Sequence, residues 1–392
     1  SGVHQLERHF DAIAVRLIED EFPVSLERVG RGIQLTRQCR VRDLFHTDND
    51  IHKVPQVTGE SSTNPIRAHR CDARRDDRLV PFRAVKVLLV VNSFASSVTA
   101  RNTVVVHRRL SRGHDVEIVE TNRRGHATRF AHDAARRGVD VVIGYGGDGT
   151  LNEVATGIAG TDTALGVLPG GSTNVFARTL GMPNDPVEAV EYLAMGLDAA
   201  DLRPIGLGQV NGRYFCFHVG VGYDAAVVQQ VEKRGSLKRW LGHPLFISAG
   251  LSTWLRGYDR QHPHFSVSGD GGEPVDDGYF TIVLNTNPYT YLGNRPLDLS
   301  PAATLDRGLV AITFKTMNAR AILSSLAGAL KGGGVQPADH LDVRTDVSNL
   351  VIEHATPFPY QVDGDALGDT GRLEFVHVPD AVKLVFPTAP PG

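Results

Sequence analysis

The sequence predicts an α/β fold: an N-terminal three-layer domain built on a parallel sheet, followed by a mostly antiparallel β-sandwich domain. Three observations lead there. From residue 84 to 196, short β-branched runs alternate with helix-patterned stretches, the rhythm of a right-handed parallel sheet. Two of those runs end in loops crowded with glycine and small residues, each followed by a helical pattern. Beyond Ala200 the helical rhythm gives way to strand-like runs set apart by turn residues.

The elements follow in order. Residues 4–22 carry helical spacing through Leu6, Phe10, Ile13 and Leu17 and stop at Pro23, and 31–83 are rich in arginine, aspartate and histidine. Residues 1–83 are therefore expected as an extension, poorly ordered or partly helical. A strand over 84–91 leads into Asn92-Ser93-Phe94-Ala95-Ser96, a helix over 98–112, and a strand over 116–119. Thr121 opens the next loop, and a helix over 127–137 stops at Gly138. The central strand, 139–143, enters Gly144-Tyr145-Gly146-Gly147-Asp148-Gly149, and Thr150 suits the cap of a helix whose inner face is Leu151, Val154, Ala155 and Ile158. A strand over 164–168 then enters Pro169-Gly170-Gly171-Ser172-Thr173-Asn174, with a short helix from Val175. Asp185-Pro186 begins a helix to Met195, with Gly196 as its stop. The boundary near 197–201 divides an α/β domain, 84–200, from a β-rich domain, 201–392. Within the second domain, Asn211-Gly212 between two apolar runs marks a hairpin.

Composition narrows the class. The 392 residues are 41% hydrophobic and 22% charged, ordinary for a water-soluble chain, and a net charge of −3 gives no field for nucleic acid. Cys39, Cys71 and Cys216 lack metal or redox spacing, and no apolar run reaches membrane-spanning length. These features predict a cytoplasmic protein, able to touch the inner face of a membrane peripherally; a homo-oligomer stays open. Around Lys233–Leu255, basic residues flank Trp240 and Trp254, a pattern that suits either an interfacial helix or one covering the second domain.

Strand, glycine loop and helix N-terminus together present bare N–H groups to a phosphate. Gly146, Gly147, Gly149 and Thr150 supply those donors, and the Asp148 carboxylate suits a cation or a proton donor there. Far along the chain, Val362-Asp363-Gly364-Asp365 reads from composition alone as a turn between strands.

GGDGTLNE and LPGGSTNVFAR, taken together, resemble the nucleotide-binding signature of the lipid kinases that include bacterial diacylglycerol kinases, sphingosine kinases and ceramide kinases. The resemblance spans about residues 85–387 and implies an ATP- and Mg2+-dependent enzyme acting on a lipid hydroxyl at a membrane surface, first of all that of diacylglycerol, with 84–200 as nucleotide-binding domain and 201–392 as lipid-substrate domain whose last residues can return to the first. It also implies that Asn152, Ser172, Thr121 and the loop of Asn92, Ser93, Phe94, Ala95 and Ser96 contact nucleotide, with Leu151, Gly171 and Asn174 completing the set. Glu153 and Asn174 suit helix-end hydrogen bonds equally well. In such kinases the acids of an Asp-Gly-Glu turn act at the acceptor hydroxyl. By that likeness Asp365 is the proton acceptor, Asp363 orients it or holds metal, and Asp148 holds metal or orients the acceptor hydroxyl.

Two departures stand out. The first loop lacks the family's proline and glycine, which points to weaker nucleotide binding. At Asp306-Arg307-Gly308-Leu309-Val310-Ala311 the acids of a structural magnesium site are replaced by Arg307 and Ala311, so the guanidinium is expected to take the ion's place. A sphingoid-base or other lipid-alcohol kinase, an NAD kinase-like enzyme, and a nucleotide-binding regulator with little turnover remain as alternatives.

Overall fold

Val87 to Val91 are buried without interruption, as a strand covered on both faces requires. They form β1 (Lys86–Val91) in a computed structural model that describes residues 84–233, 250, 252–253 and 258–389. β1 lies between β2 (Asp115–Glu120) and β3 (Val141–Gly146), and β3 pairs with β4 (Ala164–Pro169), all in parallel. The connections are α1 (Ala100–Leu110), capped by the Thr99 hydroxyl, α2 (His126–Arg136) and α3 (Asp148–Ile158). α4 (Val175–Thr179) and α5 (Pro186–Asp198) follow β4, the latter capped by Asp185 with proline in its first turn.

Two boundaries differ from the sequence expectation. α3 begins at Asp148, with Gly147 as N-cap, so Thr150 lies inside the helix. α5 runs through Gly196 to Asp198, because that glycine is a packing position: a Cβ there would stand 2.1 Å from the Phe386 carbonyl oxygen.

Asn211 and Gly212, both at positive φ, turn β5 (Leu202–Val210) into β6 (Arg213–Phe215). β7 (His218–Gly222) then leads into α6 (Tyr223–Lys233). The remaining elements are β8 (Phe265–Gly269), β9 (Val275–Gly278), β10 (Phe280–Leu284), β11 (Thr290–Leu292) and β12 (Arg295–Leu297). After them come β13 (Leu309–Phe314), α7 (Ala319–Leu330), β14 (Leu341–Val347), β15 (Asn349–Val362) and β16 (Asp365–Val385). Pairing in this second lobe is antiparallel.

The second lobe's strands are not closed off as a separate sheet. β16 pairs antiparallel with β15 and β5, shifts register between Val378 and Val382, and then pairs parallel with β4 through Lys383 and Leu384. Burial explains the crossing, since Val382, Leu384 and Val385 belong to the apolar core of the first lobe. One path of paired strands therefore runs from β14 to β2 through both lobes. Among the described residues, no helix is long and apolar enough to cross a membrane. The basic, tryptophan-bearing stretch over 234–249 and the extension over 1–83 lie outside the described residues.

Candidate active site

Three loops meet at the ends of β1, β3 and β4. The Asn92 amide donates to the Thr150 hydroxyl at 3.0 Å, and its side-chain oxygen accepts from Phe94 N–H. Ser97 N–H and Gly170 N–H bond the Gly170 and Gly146 carbonyls at 2.8 Å each. The glycines make this stacking possible, for a Cβ on Gly170 would lie 2.8 Å from Gly146 Cα, and one on Gly171 2.8 Å from Gly147 Cα. At the loop tips, the N–H groups of Asp148, Gly149, Ser172 and Thr173 have no acceptor among the described residues. Gly149 and Ser172 are exposed, and Phe94 projects into solvent at 74% exposure. Unpaired amides at the first turn of an eleven-residue helix fit a polyphosphate.

Several of the candidate residues help to build the cradle. Leu151 is buried in the core, its methyl filling the space that Gly144 leaves. The Asn174 side chain accepts from Gly171 N–H and donates to the Gly171 carbonyl and to Asn184, folding its own loop. Thr121 is buried where β2 ends. The Glu153 carboxylate accepts from Gly125 and Ala127 N–H and so caps α2.

Asp148 is engaged within the loops as well. Its two oxygens accept from Val175 and Phe176 N–H at 3.0 and 3.2 Å, capping α4, whose own N-cap Asn174 makes no capping bond. Desolvation raises its pKa against the pull of those two donors.

On the opposite side stands the turn between β15 and β16. Asp363 and Gly364, at φ 49° and 84°, form the turn, with Val362 and Asp365 paired across it. The Asp363 carboxylate accepts from Cys216, Phe217 and His218 N–H at 2.8–3.0 Å and from the Asn152 amide at 2.6 Å. Burial pushes its pKa up to about 7 although these donors favour the ionised form. Asp363 therefore fixes the turn and ties it to α3. Among the described residues no three His, Cys, Asp or Glu side chains gather to hold a metal.

Asp365 is left facing the gap. Its carboxylate accepts from Arg124 at 2.9 Å and lies 3.7 Å from Arg213. Asp363, Asp365, both arginines, Gly149 and Asn152 line one cleft of about 260 Å³ between the lobes. Residues 152 and 363 thus share a wall despite their separation in sequence. A wider hollow of about 450 Å³ near Phe265 and His354 contains none of the expected residues.

Sequence reasoning missed the groups behind the turn. Gly364 N–H donates to the Gln361 side-chain oxygen at 2.8 Å, and the Gln361 amide donates to Asp224 at 2.9 Å. The Tyr289 hydroxyl donates to the other Asp224 oxygen at 2.5 Å. Gly220 leaves room for this pair, since a Cβ would meet both Asp224 and Gln361. Asp224 directly after the Gly220-Val221-Gly222-Tyr223 run was the available signal. Arg124 and Arg213 gave none, being ordinary loop and strand cations in sequence. Arg307 is exposed, and among the described residues it makes no ion pair; the adjacent turn is held by Gly308 N–H donating to Asp346.

Known proteins bear on this geometry. Residues 86–210 match the diacylglycerol kinase catalytic domain. The Bacillus subtilis (strain 168) protein named diacylglycerol kinase is 39% identical over 283 residues, 70% of this chain and 87% of that one. A Pseudomonas aeruginosa protein named "Probable lipid kinase YegS-like" is 28% identical over 313 residues, 78% of this chain and 96% of its own. A solved diacylglycerol kinase structure from Bacillus anthracis str. Sterne superposes with a TM-score of 0.58 at 22% identity, covering 78% of this chain and 97% of that one, and so shares the fold. Identity at the level of the Bacillus subtilis relative, across most of that protein, decides the kinship: the chain belongs to the diacylglycerol kinase and YegS-like family of lipid kinases, enzymes that use ATP.

Proposed function

We propose that this kinase phosphorylates the free hydroxyl of diacylglycerol, giving phosphatidic acid, with Mg2+ entering on the nucleotide. The observation that supports this most is the Asp365 carboxylate facing Gly149 across one cleft, on an acid that no backbone N–H engages among the described residues. When bound, Mg-ATP supplies the phosphoryl group to be transferred and part of the charge neutralisation. The chain's residues do the rest. Amides of Asp148, Gly149, Ser172 and Thr173 offer donors to phosphate oxygens, and Asp365 takes the proton from the acceptor hydroxyl. Arg124 and Arg213 fix Asp365 and place positive charge beside the transferring group. The acids expected to hold metal spend their oxygens on N–H donors, which supports an ion carried by phosphate oxygens. Diacylglycerol comes first among acceptors because the 39% identical relative carries that name.

The test is phosphate transfer from labelled ATP to separate diacylglycerol, sphingoid-base and NAD acceptors, with the Asp365→Asn variant alongside. Diacylglycerol is expected to be labelled, and the variant to lose about 10²–10⁴ in kcat while retaining ATP binding. Labelling of the sphingoid base alone would replace the acceptor assignment. Full activity in Asp365→Asn would remove the base.

A further inference from the structure

We infer that the outer face of α7 is the surface by which this enzyme docks on an anionic lipid bilayer. At 100° per residue, α7 turns Ser325 and Ala329 inward, where both are buried, and leaves Leu323 and Leu330 at 54% and 44% exposure on the opposite face. Ala327, also exposed, lies between them, and Leu326 sits at the margin, half-buried against the apolar cluster below. The helix thus packs Ile322, Ser325, Leu326 and Ala329 toward the core and still shows two leucines to water, more apolar surface than covering that core requires.

Charge selects the occupant. From residue 315 to 338 the chain holds Lys315, Arg320 and Lys331 and no aspartate or glutamate. Arg320 and Lys331 flank the leucine stripe on one side, and among the described residues neither is in an ion pair. An isologous contact between two copies would set these cations against themselves, whereas an anionic headgroup layer complements them and takes in the leucines. Location agrees. The apolar cluster under α7 includes Ile322 and Ala329 and reaches Tyr289, whose hydroxyl holds Asp224 and, through Gln361, the turn that carries Asp365. A helix resting on the bilayer is therefore connected by packed apolar side chains to the catalytic turn. The inference rests on the lipid-kinase reading for its purpose, but its geometry stands apart from that reading.

The experiment is co-sedimentation of the full chain with phosphatidylcholine vesicles, with and without phosphatidylglycerol. Wild type is expected to bind the anionic vesicles more tightly. Leu323→Glu/Leu330→Glu is expected to lower binding by on the order of a hundredfold, about tenfold for each leucine kept out of the apolar layer. Arg320→Glu/Lys331→Glu should remove the preference for phosphatidylglycerol, and it answers the question alone if the leucine variant melts early. Val104→Glu, an exposed apolar position on α1, should bind as wild type does. In kinase assays the leucine variant should fail on vesicle-embedded diacylglycerol and work normally on a dispersed short-chain one. Unchanged vesicle binding in both α7 variants overturns the proposal, as does equal loss in the Val104 control. A concentration-dependent dimer abolished by the leucine variant without change in vesicle binding also overturns it, in favour of a second copy. If no lipid is phosphorylated but vesicle binding still depends on α7, docking stands and the acceptor reading fails.

Discussion

Asp363 is held at φ 49° by four donors that converge on a carboxylate whose pKa burial pushes up to about 7. Because that value lies above the ordinary 3.8, the folded chain binds this proton more tightly than the unfolded one. The contribution to folding is therefore complete below about pH 4 and is lost as the pH rises to about 7. Asp363→Asn turns an amide N–H against N–H donors and should destabilise by about 1–3 kcal/mol. Its deficit in urea unfolding should be larger near pH 5 than near pH 8, and an equal deficit at both would contradict the titration. An Asp-Gly pair announces a turn in sequence, and Asp365 was legible by its place beside it. What consumes the Asp363 carboxylate was not legible, because three of its four donors are backbone N–H groups 145–147 positions away, which carry no side-chain signature.

The glycine loops were readable because strand, small residues and helix come consecutively, and the N-cap of α3 lies three residues before the expected one. The second lobe was less so. The strand-like runs 350–354, 372–378 and 382–385 are not separate elements but parts of β15 of 14 residues and β16 of 21. Their paired ribbon includes Pro359, Gly368 and Asp369, residues whose local preference is for turns, and only the partner strand overrides it. The loops themselves yield a contrast between two alanine substitutions. Gly170→Ala drives a Cβ to 2.7 Å from Val98 and 2.8 Å from the Gly146 backbone, so both melting temperature and ATP affinity should fall. Gly149→Ala meets nothing within 4 Å. That variant should be as stable as wild type, or gain up to about 1 kcal/mol from helix propensity, yet bind ATP more weakly because its methyl group enters the cleft. Calorimetric melting with nucleotide titration separates the two, and equal behaviour would count against the cradle.

Both lobes are joined by more than contact. β16 pairs with strands of each, Asn152 bonds Asp363, Arg124 bonds Asp365, and Arg178 of α4 reaches the Gly293 carbonyl and lies 3.5 Å from the Tyr291 ring. A chain cut before Ala381 is expected to lose its cooperative melting transition and ATP binding together, since the missing strand supplies core to the first lobe. Survival of either would mean that the lobes fold separately. Alternation and loop chemistry revealed two lobes in the sequence, but the shared strand depends on which core receives Val382 and Leu384, a matter of tertiary packing.

That suture frames the cleft. The strand that opens with Asp365 ends hydrogen-bonded to β4 of the first lobe, so the wall bearing the acid and the wall bearing Gly149 hang from one continuous run of backbone pairing.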